Sequence, residues 1–198
     1  MIKFMAPMFD RKAMLRLSLE RERKAAAHDR PDAAIHAARN FLAHIPLAPD
    51  ASLALYHPIK SELDTAPLAK ELRTRGHTLA LPVVTGKKSA LVFRVWREDT
   101  PLVRGPFGVE APEETAGPID PDIIVAPLLG FDRRGGRLGY GGGFYDRTLA
   151  ALRGRSGERD IIAVGYAYGA QEVDAIPLSR LDQPLDWIVT ERGAVKTS

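Results

Sequence analysis

The chain has 198 residues, with 28 lysines and arginines against 25 aspartates and glutamates and no cysteine. Without cysteine there are no thiolate nucleophiles, disulfides, iron–sulfur clusters or cysteine zinc sites, so any chemistry uses oxygen, nitrogen or a bound ion. A formal charge of +3 with both signs abundant is no nucleic-acid footprint, and no apolar run reaches the roughly 18 residues of a membrane helix. Residues 1–9 are too short and too broken by Lys3 and Pro7 to form a secretory signal. The expectation is one cytoplasmic domain over residues 1–198 with a loose tail at 1–10, and neither nucleic acid nor membrane as partner.

In chain order, RKAMLRLSLERERK from Arg11 to Lys24 predicts a helix, its apolar residues being Ala13, Met14, Leu15, Leu17 and Leu19. Asp29 is placed to cap a second helix starting near Pro31, with Ile35, Ala38, Leu42 and Ile45 as the buried stripe. Ser52–Tyr56 reads as a short strand, followed by the polar loop HPIKSELD and a third helix that takes Pro67 in its first turn and stops at Gly76. Thr78–Val84 and Leu91–Trp96 form a hairpin around Gly86, with a weaker strand at Pro101–Arg104. The nearly unbroken apolar runs Asp122–Leu129 and Ile161–Tyr166 predict central parallel strands covered on both faces. Between them lie a glycine-rich loop and a helix from Phe144 to Arg153, and Trp187–Thr190 gives a last strand. This order predicts an α/β layered sheet, mostly parallel, with helices on both faces.

The glycine loop carries the strongest chemical signal. Arg133–Arg147 reads RRGGRLGYGGGFYDR, with glycines at 135, 136, 139, 141, 142 and 143 between a buried strand and a helix start. Glycine permits positive φ and close backbone approach, so successive N–H groups can form an anion nest reinforced by the helix dipole, and phosphate is its natural occupant. Arg133, Arg134 and Arg137 add guanidinium groups suited to phosphate oxygens. The loop is neither a Walker loop nor a Rossmann fingerprint, because Phe144 stands where the third glycine of the latter would be. The same glycines also serve as permissive turns of a surface loop, and Asp146 suits either Mg²⁺ beside a phosphate or the helix dipole alone.

Other candidates have similar double readings. Lys12 and Arg16, four apart, share a helix face that either reaches a triphosphate or is solvated. Glu62 follows a strand end, where it can accept hydrogen bonds from the N–H groups of a ligand or begin a helix, and Asp182 lies in a loop where it can simply shape a turn. Phe93, Trp96, Phe107, Phe144 and Tyr145 are candidates to pack on a flat ring or to fill the core. The five histidines at 28, 36, 44, 57 and 77 lack zinc-site spacing, and there is no G-x-S-x-G elbow.

The string GRLGYGGGFYDR following IIVAPLLGFD resembles the 5-formyltetrahydrofolate cyclo-ligase family. Lys12 and Arg16 in KAMLR resemble the family's K-x-x-L-R element, His57–Thr65 its post-strand substrate loop, GPFGVEAPEE its G-x-x-G-x-x-E-P segment, and DQPLDWIVTE its closing motif. Ala111 intrudes between Glu110 and Pro112 in the third of these, and histidine is atypical at position 57. The resemblance implies ATP- and Mg²⁺-dependent conversion of 5-formyltetrahydrofolate to 5,10-methenyltetrahydrofolate, ADP and phosphate. It implies an ATP site at Lys12, Arg16, Arg137, Leu138, Gly139, Tyr140, Gly141, Gly142, Gly143, Phe144 and Tyr145. Folate would fall to His57 and Glu62, Mg²⁺ to Asp146 and Asp182, and no residue is assigned as acid or base. The competing functions are a noncatalytic nucleotide- or RNA-binding α/β domain and a phosphosugar enzyme of related fold.

Overall fold

The computed structural model describes residues 8–155 and 160–197, with all their side chains except those of residues 8–10 and 107. The expected tail therefore lies outside the described residues over 1–7, while residues 8–10 are already the start of helix α1 (Met8–Asp29). That helix runs on to Asp29, so Asp29 ends α1, and Asp32 takes the N-cap position of α2 (Ala33–His44). The remaining elements, in order, are β1 (Ser52–Ala54), α3 (Ala66–Thr74), β2 (Thr78–Val84), β3 (Leu91–Val95), β4 (Leu102–Arg104), β5 (Glu110–Pro112), β6 (Ile123–Ala126), β7 (Gly130–Phe131), β8 (Arg137–Leu138), α4 (Phe144–Arg155), β9 (Ile162–Tyr166), β10 (Trp187–Thr190) and β11 (Gly193–Lys196).

Seven strands form the main sheet in the order β11-β10-β9-β6-β1-β2-β3. The five strands from β10 to β2 run parallel, and an antiparallel strand closes each edge, β11 on β10 and β3 on β2. Because side chains alternate across a strand, the two faces carry separate cores. Leu53, Leu79, Ile123, Val125 and Val164 meet α2 and α3 through Phe41, Leu68 and Leu72. Ala54, Ala80, Ile124 and Ala163 meet α4 through Leu149 and Leu152. This is the expected α/β sheet with helices on both faces. Among the described residues no helix is long and apolar enough to cross a membrane.

Two helix faces differ from the sequence pattern. In α2 the expected stripe keeps Ala38 and Ile45 in the core and Leu42 packed against it, but Ile35 is 45% exposed and Ala33, Ala37 and Phe41 complete the buried face. The alanines let the helix lie close over its neighbours, so the one large ring, Phe41, fills the contact and Ile35 is rotated out. In α1, Met14 and Leu17 point to solvent, at 71% and 63% exposed. The inward stripe is instead Lys12, Arg16, Leu19, Arg23 and Ala26, spaced four, three, four and three. A mixed cationic and apolar stripe is invisible to a hydrophobic-periodicity reading.

The first part of the glycine segment is not an open loop but the hairpin β7–β8, with Gly130 opposite Leu138 and Phe131 opposite Arg137. Its turn is built on Asp132, which is fully buried and accepts N–H groups from Arg134 and Gly136 on Oδ1 and from Ile176 on Oδ2. Burial alone would raise the carboxyl pKa, but these donors and the Arg134 guanidinium outweigh it and hold Asp132 below the usual range. Any side chain at Gly130 would strike Leu19 of α1, and one at Gly136 would come within 2.7 Å of Asp132 Oδ2. Substituting Asp132→Ala strands three backbone donors, and urea denaturation should show a loss of about 3 kcal/mol; a loss under about 0.5 kcal/mol would mean that the turn holds without its carboxylate.

Candidate functional site

A cleft of about 1490 Å³ opens over the carboxyl ends of the central strands. From β1 the chain moves outward to β2 on one side, while β6 on the other leads to β9 and β10. Loops leaving the two directions part at that point and leave a crevice. The loop after β1 brings Tyr56, His57 and Glu62, β2 brings Pro82 and Val84, and the segment after β6 brings Pro127 and the glycine loop. The hairpin β4–β5 forms a further wall with Val103 and Ala111, and the loop before β10 adds Ser179, Asp182 and Gln183.

Every residue marked in the sequence as an ATP, folate or Mg²⁺ candidate lines this one cleft. On the glycine side, Arg16 Nε donates to the Gly139 carbonyl at 2.9 Å. Gly141 and Gly143 have φ of +100° and +67°, values that only glycine adopts without strain. Gly142 is outside that region, but a Cβ there would come within 2.8 Å of the Phe144 ring. Arg147, which the sequence reading passed over, pins the loop by donating to the carbonyls of Gly142 and Ser89 at 2.9 and 3.1 Å. Of the three loop arginines only Arg137 lines the cleft. The hairpin turns Arg133 outward onto Glu172 and Arg134 back onto Asp132, so neither adds charge to the nest as expected.

Two cations of the cleft are paired with the two carboxylates singled out for metal. Lys12 Nζ lies 2.8 Å from Asp182 Oδ2, and Arg137 Nη2 lies 2.7 Å from Asp146 Oδ1. Asp182 also accepts the Ser179 N–H at 2.7 Å, so it shapes a turn and faces the cleft at once. Its partial burial would raise the pKa, but Lys12 and Ser179 outweigh it and keep the carboxyl below its usual value. Asp146, in the first turn of α4, also accepts the Gln183 N–H at 3.1 Å. It is therefore no free helix-start carboxylate but a tie between α4 and the loop before β10. Among the described residues no group of three or more His, Asp or Glu forms a ready metal cage. Two carboxylates beside a phosphate nest nevertheless fit Mg²⁺, which prefers one or two protein oxygens completed by phosphate and water.

On the opposite wall Glu62 is 8% exposed, with Oε2 accepting the Ile59 N–H at 2.9 Å. Burial raises its pKa, opposed by that N–H and by the charges of Arg23 and Lys60. His57 Nε2 is 3.6 Å from Glu110 Oε2 at the rim. Ala111 is absorbed into β5, buried and paired with Val103, so the intruding residue lengthens a strand and presents a methyl group to the cleft. The aromatic candidates divide. Phe144 and Tyr145 line the cleft, Phe93 is core, Trp96 lies under the Arg73 guanidinium at 4.0 Å, and the Phe107 side chain lies outside the described ones. Sequence reasoning also missed Arg23 and Lys60, which flank Tyr140 at 5.4 and 5.3 Å from its ring centre. The signal was the seven-residue step from Arg16 to Arg23, which repeats the face shared by Lys12 and Arg16.

Fold and site define a doubly wound α/β protein whose ligand cleft lies at the switch point of the sheet, beside a glycine loop that opens a helix. A sequence model of the 5-formyltetrahydrofolate cyclo-ligase family matches residues 9–191, and the chain belongs to that family, an enzyme family of ligases. It is 37% identical over 139 residues to 5-formyltetrahydrofolate cyclo-ligase of Haemophilus influenzae, covering 68% of this chain and 72% of the relative. The Escherichia coli K12 protein of the same name is 30% identical over 176 residues, 86% of this chain and 94% of its own. The solution structure of Aquifex aeolicus 5,10-methenyltetrahydrofolate synthetase superposes with a TM-score of 0.76 at 29% identity, covering 93% of this chain and 92% of that one.

The Lys12–Asp182 pair is directly measurable. Asp182 contributes stability above its unfolded pKa of about 3.9, and that contribution is lost as pH falls through its lower folded value. Substituting Lys12→Met should raise the Asp182 pKa in a carboxyl ¹³C titration and narrow that acid window. An unmoved titration would show that the pair is not populated in solution.

Proposed function

We propose that the protein converts 5-formyltetrahydrofolate to 5,10-methenyltetrahydrofolate with ATP and Mg²⁺, releasing ADP and phosphate. The carrying observation is that one cleft joins a glycine nest ringed by Lys12, Arg16 and Arg137 to an apolar wall with one buried carboxylate, Glu62. The first half suits a triphosphate and the second a flat heterocycle with N–H donors. Family membership supports the same substrate, and His57, which lines the rim, would contact it there.

The chemistry asks little covalent help of the protein. The formyl group on N5 is an amide, a poor electrophile whose oxygen is a poor leaving group. That oxygen attacks the γ-phosphorus and ADP departs; N10 then attacks the activated carbon, the ring closes, phosphate leaves and N10 gives up its proton. Phosphoryl transfer of this kind depends on positioning and charge neutralisation. Lys12, Arg16 and Arg137 supply fixed positive charge, and the glycine N–H groups and the α4 N-terminus supply aligned dipoles. Phe144 and Tyr145 would pack beside the nest and limit water at the transferring group, with the half-exposed Tyr140 at its edge, while Leu138 anchors the loop in the core. Asp146 and Asp182 would hold Mg²⁺, which supplies neutralisation of the phosphate charge when bound.

The decisive assay follows the methenyl chromophore on mixing the protein with 5-formyltetrahydrofolate and Mg²⁺, with and without ATP. Strictly ATP-dependent formation is expected; a folded protein that binds ATP yet forms no product would favour a noncatalytic nucleotide-binding role. Substituting Asp146→Asn keeps an oxygen for Arg137 and Gln183 but removes the charge. It should lower kcat by about 100-fold or more while leaving the melting temperature close to wild type; full activity would remove Asp146 from the metal assignment. Substituting Gly142→Val displaces the Phe144 ring and should weaken ATP by about tenfold or more in titration calorimetry, with folate affinity little changed. Equal loss for both ligands would contradict the division of the cleft.

A further inference from the structure

Arg23 is fully buried on the inward stripe of α1, behind the cleft wall. Its Nε donates to Ser61 Oγ at 3.2 Å, its Nη2 donates to the Tyr140 hydroxyl at 2.5 Å, and its Nη1 has no hydrogen-bond partner but lies 3.7 Å from Glu62 Oε1. One guanidinium thus reaches both the loop after β1, which carries Glu62, and the tip of the glycine loop, which carries Tyr140. For stability alone this is a poor choice. Between Leu19 and Ala26 an apolar side chain would complete the stripe without burying a charge, and an unpaired buried N–H is costly. Lys60, with φ of 54° in the left-handed region, adds a second cation on the same ring and is itself held by Glu20 of α1.

We propose that Arg23 is a positioning residue that touches neither ligand but fixes Glu62 and Tyr140 relative to each other, so that one buried cation sets both the folate seat and the nucleotide seat. This rests on the function proposed above. Through Tyr140 it anchors the glycine loop from outside the nest. Through Glu62 it supplies the charge that keeps a buried carboxylate ready to accept the pterin N–H groups.

The groups facing Glu62 are few and come from four elements: Arg23 on α1, Lys60 and Tyr56 on its own loop, Tyr140 on the glycine loop and Tyr145 at the start of α4. All three phenols are pushed above their ordinary pKa, chiefly by burial, and stay neutral through the working range. Burial favours protonated Glu62, and Arg23 and Lys60 oppose it. Removing Arg23 therefore raises the Glu62 pKa, and binding that needs the carboxylate fails at a higher pH as pH falls.

The test is a pair of double-mutant cycles read on the full chain with 5-formyltetrahydrofolate and with ATP·Mg²⁺, KM and kcat being followed from about pH 5 to about pH 8. Glu62→Gln should raise the folate KM alone and Tyr140→Phe the ATP KM alone. Arg23→Met should raise both by about tenfold and move the acid limb of the folate profile to higher pH. Added to Glu62→Gln it should cost folate little more, and added to Tyr140→Phe it should cost ATP little more. Arg23→Lys keeps the charge but not the fork, so the acid limb should return while the ATP KM stays raised; this variant carries the test if Arg23→Met does not fold. Additive losses in both cycles, or an acid limb that the Arg23 variants leave in place, would overturn the positioning role. A wild-type chain that binds no folate would instead overturn the proposed function beneath it.

Discussion

The arrangement hangs on the inward stripe of α1. A helix that presents Lys12, Arg16, Leu19, Arg23 and Ala26 to the rest of the molecule cannot dock as an ordinary amphipathic helix, because three of those five side chains are cations. Each needs an acceptor, and the acceptors come from loops at the carboxyl ends of the strands: Asp182, the Gly139 carbonyl, and Ser61 with Tyr140. Leu19 packs directly on Gly130, so any side chain there would have to displace the Leu19 methyl group. The helix therefore does not cover the sheet; it staples three separate loops, and the cleft is the space between them.

Those loops are themselves stiff for local reasons. Asp132 ties the β7–β8 turn to the Ile176 region through buried N–H groups, and Arg147 holds the glycine loop at its far end. Within the glycine segment, the stretch from Gly139 to Gly143 follows β8 without ladder pairing and is bounded by that strand and by α4. A nest whose N–H groups are held before a ligand arrives loses little on binding, which is what transfer of a highly charged group requires.

The elements carried by strong periodicity or by an unbroken apolar run were legible in the sequence: β1, β2, β3, β6, β9, β10 and the helices α3 and α4. So was a glycine-rich turn between a buried strand and a helix start, with Gly141 and Gly143 at positive φ. The pairs β4–β5 and β7–β8 were not fully legible, because two- and three-residue strands are defined by their partner rather than by any pattern of their own. The inward face of α1 was hidden for a different reason. Hydrophobic periodicity finds faces that avoid water, and this face is buried to satisfy loop acceptors, while the apolar Met14 and Leu17 lie outside. The outward turn of Arg133 and Arg134 was equally hidden, since it follows from the hairpin and from the buried Asp132.

The pairing of Lys12 with Asp182 and of Arg137 with Asp146 bears on how such a site can be both charged and stable. Buried cations gathered for a triphosphate would repel one another and resist desolvation in a protein without ligand. Pairing each with a carboxylate that can serve a divalent ion removes that cost and keeps both sets of groups in the cleft. Were phosphate and a divalent ion to enter together, each of these side chains would exchange one oppositely charged partner for another. Arg23 is placed differently: it is fully buried, lies outside the cleft lining and meets its nearest carboxylate, Glu62, only at 3.7 Å. That difference in placement separates the cations lining the cleft from the one behind its wall.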